Sequence, residues 1–305
     1  MNPALAVLSA PSNLGLMAPA PGHEPGARRM AAVLKQHGLV ERLGAVDAGT
    51  VAPPPYDPAR HPQTRLLNGP AIRAYTSQLA AALDPLLDGG YFPLVLGGDC
   101  SILLGAMLAL RRRGRYGLAY FDGHRDFQTP QTSRTGGVAG MDLALVTGRG
   151  PELLARFEGY ETLVDDASVV ALGYRDDRDP GEDGSGAIFD TAIRLLDLQT
   201  VRRLGPAAAS KKALQALRAA RVDGFWIHFD VDVLDSRLMP AVDSPQPGGL
   251  TYEESTALIR PLLDSGLATG MQVTIYDPDR DADGSAGQRL AAWLMELFLP
   301  LERAP

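Results

Sequence analysis

The sequence LAYFDGHRD at residues 118–126 decides the fold, because it joins a short apolar run to polar side chains in alternate positions. A run without a polar face is typical of a strand buried on both sides of a parallel sheet. If the chain stays extended, Asp122, His124 and Asp126 face the same side. Open parallel sheets bind their ligands at the carboxyl ends of the strands. The stretch therefore predicts a buried parallel strand with a cluster of charged side chains at its end.

Two other apolar runs end in the same way. Residues 94–96 lead into GGDCS at 97–101, and residues 226–229 lead into DVD, where Asp230 and Asp232 share a face. Four carboxylates gathered at the end of an apolar sheet would be prohibitively unstable without a compensating cation. An isolated aspartate after a strand is usually a cap or a turn residue. The pattern at two strand ends instead favours a cluster of divalent metal ions, which carboxylate and imidazole ligands suit.

Short apolar runs alternate with amphipathic stretches along the rest of the chain. The predicted strands are 5–9, 92–96, 118–122, 168–174, 225–232 and 271–276. The predicted helices are 26–37, 69–87, 102–113, 187–204, 211–221, 252–264 and 285–298. This alternation continues without a break in composition. It predicts one α/β domain over residues 1–305, with three α/β/α layers and a mainly parallel central sheet.

The composition excludes several classes of protein. Of the 305 residues, 45% are hydrophobic and 21% charged, and the formal charge is −7. Cys100 is the only cysteine, which excludes a disulfide scaffold. An acidic chain with three lysines has no basic stripe for phosphates, so we expect no nucleic acid partner. The apolar first residues lack the features of a signal peptide or a membrane span, so we expect a cytoplasmic protein with no membrane partner.

The three strand ends together resemble a known family. Residues 97–101 (GGDCS), 122–126 (DGHRD) and 229–235 (FDVDVLD) are similar to the metal motifs of the ureohydrolase superfamily, which includes arginases, agmatinases and formiminoglutamases. The motifs stand in the family's order and at similar spacing, and the likeness extends over nearly the whole chain. The resemblance implies an arginase-like catalytic domain with two Mn²⁺ ions. The implied ligands are Cys100, Asp122, Asp126 and Asp230 for one ion, and Asp122, His124, Asp230 and Asp232 for the other.

The resemblance also implies a reaction. A hydroxide shared by the two ions would attack a guanidinium or amidine carbon, and the tetrahedral intermediate would expel an amine. Cys100 departs from the pattern, because the family usually has histidine there. A thiolate is a softer and charged ligand, so we expect other divalent ions, including zinc-like ones, to be tolerated. A buried cysteine without a ligand would act as a small hydrophobe.

Two further departures concern the substrate. In arginase-like enzymes a histidine that carries protons stands at the position of Ala139, and a glutamate that contacts the guanidinium stands at Ile275. Alanine cannot carry a proton, and isoleucine cannot pair with a cation. Asp243 stands where the family usually has glycine, and we hypothesise that it replaces the guanidinium contact, with Ser244 nearby. The alternative is that Asp243 only shapes the turn before Pro245.

The remaining candidates belong to two loops and one strand. Residues 127–141 resemble the substrate loop of the family, and residues 173–182 resemble the loop that binds the amino-acid end of the substrate. Together these two loops favour an amino acid as the expected substrate. His228 would share the face of Asp230 and orient a ligand from behind, or be an ordinary buried histidine. The predicted substrate contacts are Gln128, Ser133, Arg134, Thr135, Asp179, Glu182, Asp243 and Ser244, and the predicted catalytic residues are Asp126, His228 and Asp243.

The sequence leaves three functions open. The first is hydrolysis of the guanidino C–N bond of arginine or a similar small compound, in a protein that can form a homo-oligomer as members of the family do. The second is hydrolysis of another amidine, formimino or amide bond by the same metal cluster. The third is a binding protein that keeps the metals for stability and has lost turnover, which Ala139 and Ile275 would favour.

Overall fold

The computed structural model describes residues 3–176 and 184–299. Within these residues, eight strands form one sheet in the order β2-β1-β3-β8-β7-β4-β5-β6, and every neighbouring pair is parallel. The strands are β1 Leu5–Ser9, β2 Val46–Thr50, β3 Phe92–Leu96, β4 Tyr116–Phe121, β5 Val169–Leu172, β6 Arg194–Leu196, β7 Gly224–Asp230 and β8 Ala268–Thr274. The predicted parallel sheet is confirmed.

Helices lie on both faces of the sheet. They are α1 Met30–Gln36, α2 Leu39–Leu43, α3 Gly69–Asp88, α4 Leu103–Arg111, α5 Asp142–Val146, α6 Glu152–Ala155, α7 Leu198–Leu204, α8 Pro206–Ala219, α9 Tyr252–Leu263 and α10 Ser285–Phe298. Side chains alternate between two hydrophobic cores, so that Phe121 packs in one and Tyr120 in the other. The first core contains buried residues of α1, α8, α9 and α10, and the second contains those of α3, α4 and α5. The three-layer α/β/α class is confirmed.

The predicted helix 187–204 is wrong over most of its length. The chain instead forms a 3₁₀ helix at Ser185–Asp190, the edge strand β6 and then α7. The Asp197 side chain accepts a hydrogen bond from the Thr200 N–H at 2.8 Å and so caps the start of α7. A three-residue strand cannot be distinguished from part of a helix by periodicity. Strand β2 was also missed, because most of it is exposed at the other edge and it has no apolar run.

Gly98 allows the turn after β3 to pass close to the backbone of the segment that follows β1, at Ser12. The Asp99 N–H donates to the Ser12 carbonyl at 3.0 Å, and the Gly98 carbonyl accepts from the Ile275 N–H at 2.7 Å. A Cβ at Gly98 would overlap the Ser12 carbonyl oxygen. The absence of a side chain therefore places Asp99 and Cys100 at the end of β3.

We expect Gly98→Ala to lower the free energy of unfolding by about 3 kcal/mol, because the overlap is with backbone that cannot rotate away. Gly140→Ala is the matched control. A Cβ there would meet its nearest neighbour, Gln128 Oε1, at an ordinary 3.5 Å, so its free energy of unfolding should change by less than about 0.5 kcal/mol. Urea denaturation of both variants measures the difference, and equal effects would contradict the close approach.

Candidate metal centre

The polar strand ends meet at the middle of the sheet. Strands β3, β8, β7 and β4 are consecutive neighbours, and the three motifs follow β3, β7 and β4. Asp99 holds the first motif in place, since its Oδ1 accepts the Ser101 N–H at 2.9 Å and its Oδ2 accepts the Ser12 hydroxyl at 2.6 Å. Cys100 then starts a 3₁₀ helix with its side chain buried.

Two groups of side chains lie close enough to hold an ion each. In both groups, one ligand atom from every residue lies within 4.8 Å of the others. The groups are Cys100, Asp122, His228 and Asp230, and Asp122, His124 and Asp126. Asp122 belongs to both, and the Cys100 thiol donates to Asp230 Oδ2 at 2.8 Å. Five of the six predicted ligands therefore lie in two groups that share Asp122. The groups differ from the predicted sets, since His228 lies with Cys100, Asp126 lies with His124, and Asp232 belongs to neither group.

His124 links the second motif to the third. Its Nδ1 lies 2.9 Å from Asp232 Oδ2 and 3.7 Å from Asp122 Oδ1. Burial acts to lower the pKa of His124, but the contact with Asp232 outweighs it and raises the pKa to about 10. The Gln246 side chain contacts His124 Nε2 at 3.1 Å. Sequence reasoning missed Gln246, because it lies in the loop after the third motif and the sequence does not reveal the path of that loop.

The cluster has an excess of negative charge. Burial raises the pKa of Asp122, Asp126 and Asp230 well above the ordinary value, and neighbouring carboxylates raise it further. Asp232 is the exception, because the charge and the hydrogen bond of His124 outweigh burial and lower its pKa. Asp122 Oδ2 is buried without a hydrogen-bond partner among the described residues. These features fit a site for cations, which would neutralise the carboxylates and give the unpartnered oxygen a ligand bond.

Cys100 fits the site as a thiol that must lose a proton to bind an ion. Burial raises its pKa well above the ordinary value, and the Asp230 carboxylate raises it further. Metal binding releases protons from such ligands. The second hydrogen-bonding neighbour of the sulfur is Thr274 Oγ1 at 3.3 Å.

Arg175 ties the loops of the second and third motifs together. Its guanidinium donates to the carbonyl oxygens of Asp232 at 2.9 Å, Leu234 at 3.0 Å and Gln246 at 3.0 Å. The backbone N–H of Arg175 donates to the Gly123 carbonyl at 2.9 Å. Both loops are therefore anchored to a single residue, the third-motif loop by the Arg175 guanidinium and the second-motif loop by its backbone N–H.

A cavity of about 380 Å³ opens above the cluster. The predicted site residues that line it are Cys100, His124, Asp126, Gln128, Thr135, Asp230, Asp232, Asp243 and Ser244. Ala139 and Ile275 also line it, so both departures from the family pattern face the cavity. Asp122 and His228 are buried beneath it.

Two predicted substrate contacts, Ser133 and Arg134, do not line the cavity, and two more fall outside the described residues. Ser133 is buried and its hydroxyl accepts the Gly136 N–H at 3.1 Å. Arg134 is exposed and is not among the residues that line the cavity. Asp179 and Glu182 lie outside the described residues.

Sequence reasoning missed other residues of the cavity wall. Asp176 and Arg280 line it, as does the segment from Gly15 to Pro19. Asp176 forms a buried ion pair with Arg125 at 3.0 Å. The charge of Asp176 could have been noticed in the sequence. The position of residues 15–19 could not, because it depends on the path of the loop that follows β1.

Ile275 has an unusual backbone for its residue type. Its φ is +77°, in the left-handed region that a β-branched residue rarely occupies. Its N–H donates to the Gly98 carbonyl at 2.7 Å, and the side chain is buried. Strained residues often occur at functional sites, and this one forms part of the cavity wall where the resemblance expects a glutamate.

Asp243, which the sequence analysis offers as the replacement for that glutamate, lines the cavity. It shares the cavity wall with Ile275, and its side chain is exposed to the cavity. Desolvation of its carboxylate raises the pKa of Asp243, the Asp232 charge raises it further, and His124 and Arg280 act in the opposite direction.

Among residues 3–176 and 184–299, the structure contains no helix that could span a membrane.

Comparisons with known proteins agree with this geometry. The model of the Arginase family matches residues 4–299. The chain is 31% identical to an arginase from Bacillus caldovelox over 96% of this chain and 97% of that protein. It is 32% identical to an arginase from Bacillus subtilis over 77% of each. The solved structure of Bacillus caldovelox arginase superposes with a TM-score of 0.88 at 29% identity, over 99% of this chain and 100% of that one. The chain belongs to the arginase family, within the ureohydrolase superfamily.

Proposed function

We propose that the protein is a binuclear manganese hydrolase that cleaves the guanidino C–N bond of arginine or an arginine-like compound. The observation that carries this proposal is the buried cluster around Asp122, whose unpartnered oxygen lies among three other carboxylates beneath an open cavity. Membership of a hydrolase family supports it. Relatives described as arginases support the choice of a guanidino substrate.

Six side chains would hold the two ions. They are Cys100, Asp122, Asp126 and Asp230 for one, and Asp122, His124, Asp230 and Asp232 for the other. When bound, such a pair of ions lowers the pKa of water and so supplies a nucleophile at neutral pH. The chain's own residues fix the ligands, because Tyr120 lies 3.1 Å from Asp126 Oδ2 and the Gly123 N–H donates to Asp232 Oδ1 at 2.9 Å.

The cavity wall would receive the substrate. Asp243 would pair with the positive guanidinium and Ser244 would supply a hydroxyl beside it, since both line the cavity. Gln128 and Thr135 line the same cavity and would contact the polar tail of the substrate. An acidic wall also concentrates cationic substrates near the cluster.

An assay of urea release tests this function. We expect the manganese-loaded protein to release urea from arginine or hydroxyarginine faster than from agmatine and guanidinobutyrate, because the loops favour a substrate with an amino-acid end. Two bound ions per chain without urea from any of these compounds would contradict the guanidino proposal.

That outcome would favour a second function, the hydrolysis of a different amidine or formimino compound. Ile275 is the observation that supports it, because an apolar side chain replaces the expected cation partner on the cavity wall. Ammonia release from non-guanidino amidines measures this activity.

Asp243→Asn tests the role of the cavity carboxylate. We expect KM for a guanidinium substrate to rise about tenfold with little change in kcat, because a charge partner is lost while the metal ligands stay in place. Ser244→Ala removes the neighbouring hydroxyl contact without removing a charge, so it should raise KM by less than Asp243→Asn. An unchanged KM in Asp243→Asn would leave Asp243 with a role in the turn alone.

A further inference from the structure

Three buried side chains surround His228 beneath the metal cluster. His228 lies on β7, opposite Tyr120 of β4 on one side and Gln272 of β8 on the other. Trp226 precedes it by two residues and so points to the same face of the sheet. All four side chains are at most 1% exposed. None of them lines the cavity, so any effect on the site must pass through another residue.

The hydrogen bonds of this group fix the orientation of the Gln272 amide. The Trp226 indole N–H donates to Gln272 Oε1 at 3.0 Å, and an indole nitrogen can only donate. The amide oxygen must therefore face Trp226, and the amide nitrogen must face His228. Because the indole can only donate, its hydrogen bond settles which end of the Gln272 amide is the oxygen and which is the nitrogen.

The orientation of the amide determines the tautomer of His228. Gln272 Nε2 lies 2.8 Å from His228 Nδ1, and an amide nitrogen can only donate. Nδ1 must therefore accept this hydrogen bond with its lone pair. The ring proton is then on Nε2, on the opposite side of the imidazole.

Nε2 faces the central carboxylate of the cluster. It lies 3.8 Å from Asp122 Oδ2, and neither buried atom has a hydrogen-bond partner among the described residues. The Tyr120 ring stacks on the imidazole at 4.4 Å and 10°, which fixes the plane of His228. The other oxygen of Asp122, Oδ1, already accepts a hydrogen bond from the backbone N–H of His124 at 2.6 Å.

We propose that Trp226, Gln272 and His228 form a positioning relay that directs the His228 Nε2–H at Asp122 Oδ2. The inference rests on the proposed function, in which Asp122 is shared by both ions. The His124 backbone N–H is hydrogen-bonded to Oδ1 and the Nε2–H faces Oδ2 from 3.8 Å, so both N–H dipoles favour the same orientation of the carboxylate. His228 is then a positioning residue and not a metal ligand, because a ligand nitrogen needs a lone pair on Nε2. A lone pair on Nε2 would require the ring proton to be on Nδ1. Nδ1–H and the Gln272 amide N–H would then be two donors facing each other.

The relay predicts an effect on metal affinity. Groups that orient a metal ligand typically change affinity by about 10- to 100-fold when they are removed. We therefore expect Trp226→Phe, which keeps an aromatic ring but removes the indole N–H, to free the amide and weaken manganese binding about tenfold. Gln272→Glu replaces the donor to Nδ1 with an acceptor, so it should move the ring proton to Nδ1 and weaken binding further.

The tautomer can be measured directly by NMR on the full chain with isotopically labelled histidine. We expect His228 to show a protonated Nε2 and an unprotonated Nδ1 in the wild-type protein. A protonated Nδ1 would overturn the relay. This spectrum needs neither variant to fold and no bound metal, so it decides the relay independently of the proposed function.

A titration with NMR-active cadmium separates the two proposals. We expect cadmium to couple to a His124 nitrogen and not to His228. Coupling to His228 Nε2 would overturn the relay in favour of direct ligation. If no divalent ion binds, the proposed function fails, and with it the role of the relay in holding a metal ligand.

Discussion

Asp230→Asn is expected to lower kcat/KM for the best guanidino substrate about a thousandfold, or about 4 kcal/mol of transition-state stabilisation. Asp230 is a proposed ligand of both ions, and its Oδ1 also accepts the Asp232 N–H at 2.8 Å. The amide keeps the size of the side chain but loses its charge. At least one ion should therefore be lost on dialysis, which metal analysis of the dialysed variant measures.

The stability of the metal-free variant distinguishes a lost ligand from a lost fold. Burial and the Asp232 charge both raise the pKa of Asp230, so the ionised carboxylate is unfavourable where it lies. Metal-free Asp230→Asn should accordingly unfold at the same temperature as the metal-free wild type, or higher. Asp47→Asn is the control, because Asp47 is an exposed carboxylate on β2 paired with Lys35. Equal losses of activity in both variants would contradict the assignment.

Cys100→His is expected to change which metal the protein retains. The sulfur lies at the cavity floor and favours softer ions, whereas imidazole at that position is what the family usually has. We expect the preference for Zn²⁺ over Mn²⁺ to fall about tenfold or more, and activity with Mn²⁺ to rise. Competition dialysis followed by metal analysis gives this ratio.

Cys100→Ser is the matched control for that exchange. Serine keeps the approximate size of the side chain but removes the soft sulfur, so it should lower Zn²⁺ retention without the gain in Mn²⁺ binding. If both variants keep the wild-type ratio of the two metals, Cys100 is a buried hydrophobic residue and not a ligand.

Much of the site could be predicted because its ligands follow local patterns. DGHRD and DVD each come directly after a buried strand, and parallel strands place their carboxyl ends at one edge of the sheet. Cys100 could be included only because residues 97–101 resemble a metal motif of the superfamily, whereas the carboxylates could be inferred from the strand ends. These inferences needed strand ends and side-chain alternation, which short sequence windows contain.

The remaining features depend on contacts between distant parts of the chain. The role of Gln272 becomes visible only when the register places it beside His228. The role of Arg175 in joining two loops becomes visible only with its carbonyl partners, which lie far away in the sequence. Edge strand β6 was hidden within a predicted helix because three residues are too few to show a period. Each of these depends on tertiary structure rather than on local preference.

Anomalous diffraction from crystals grown with Mn²⁺ would test the central claim most directly. We expect two peaks about 3.5–4 Å apart, both adjoining Asp122 and Asp230. One peak should also contact Cys100 and Asp126, and the other His124 and Asp232. A single peak, peaks at other side chains, or no manganese at the carboxyl ends of β3, β7 and β4 would contradict the account.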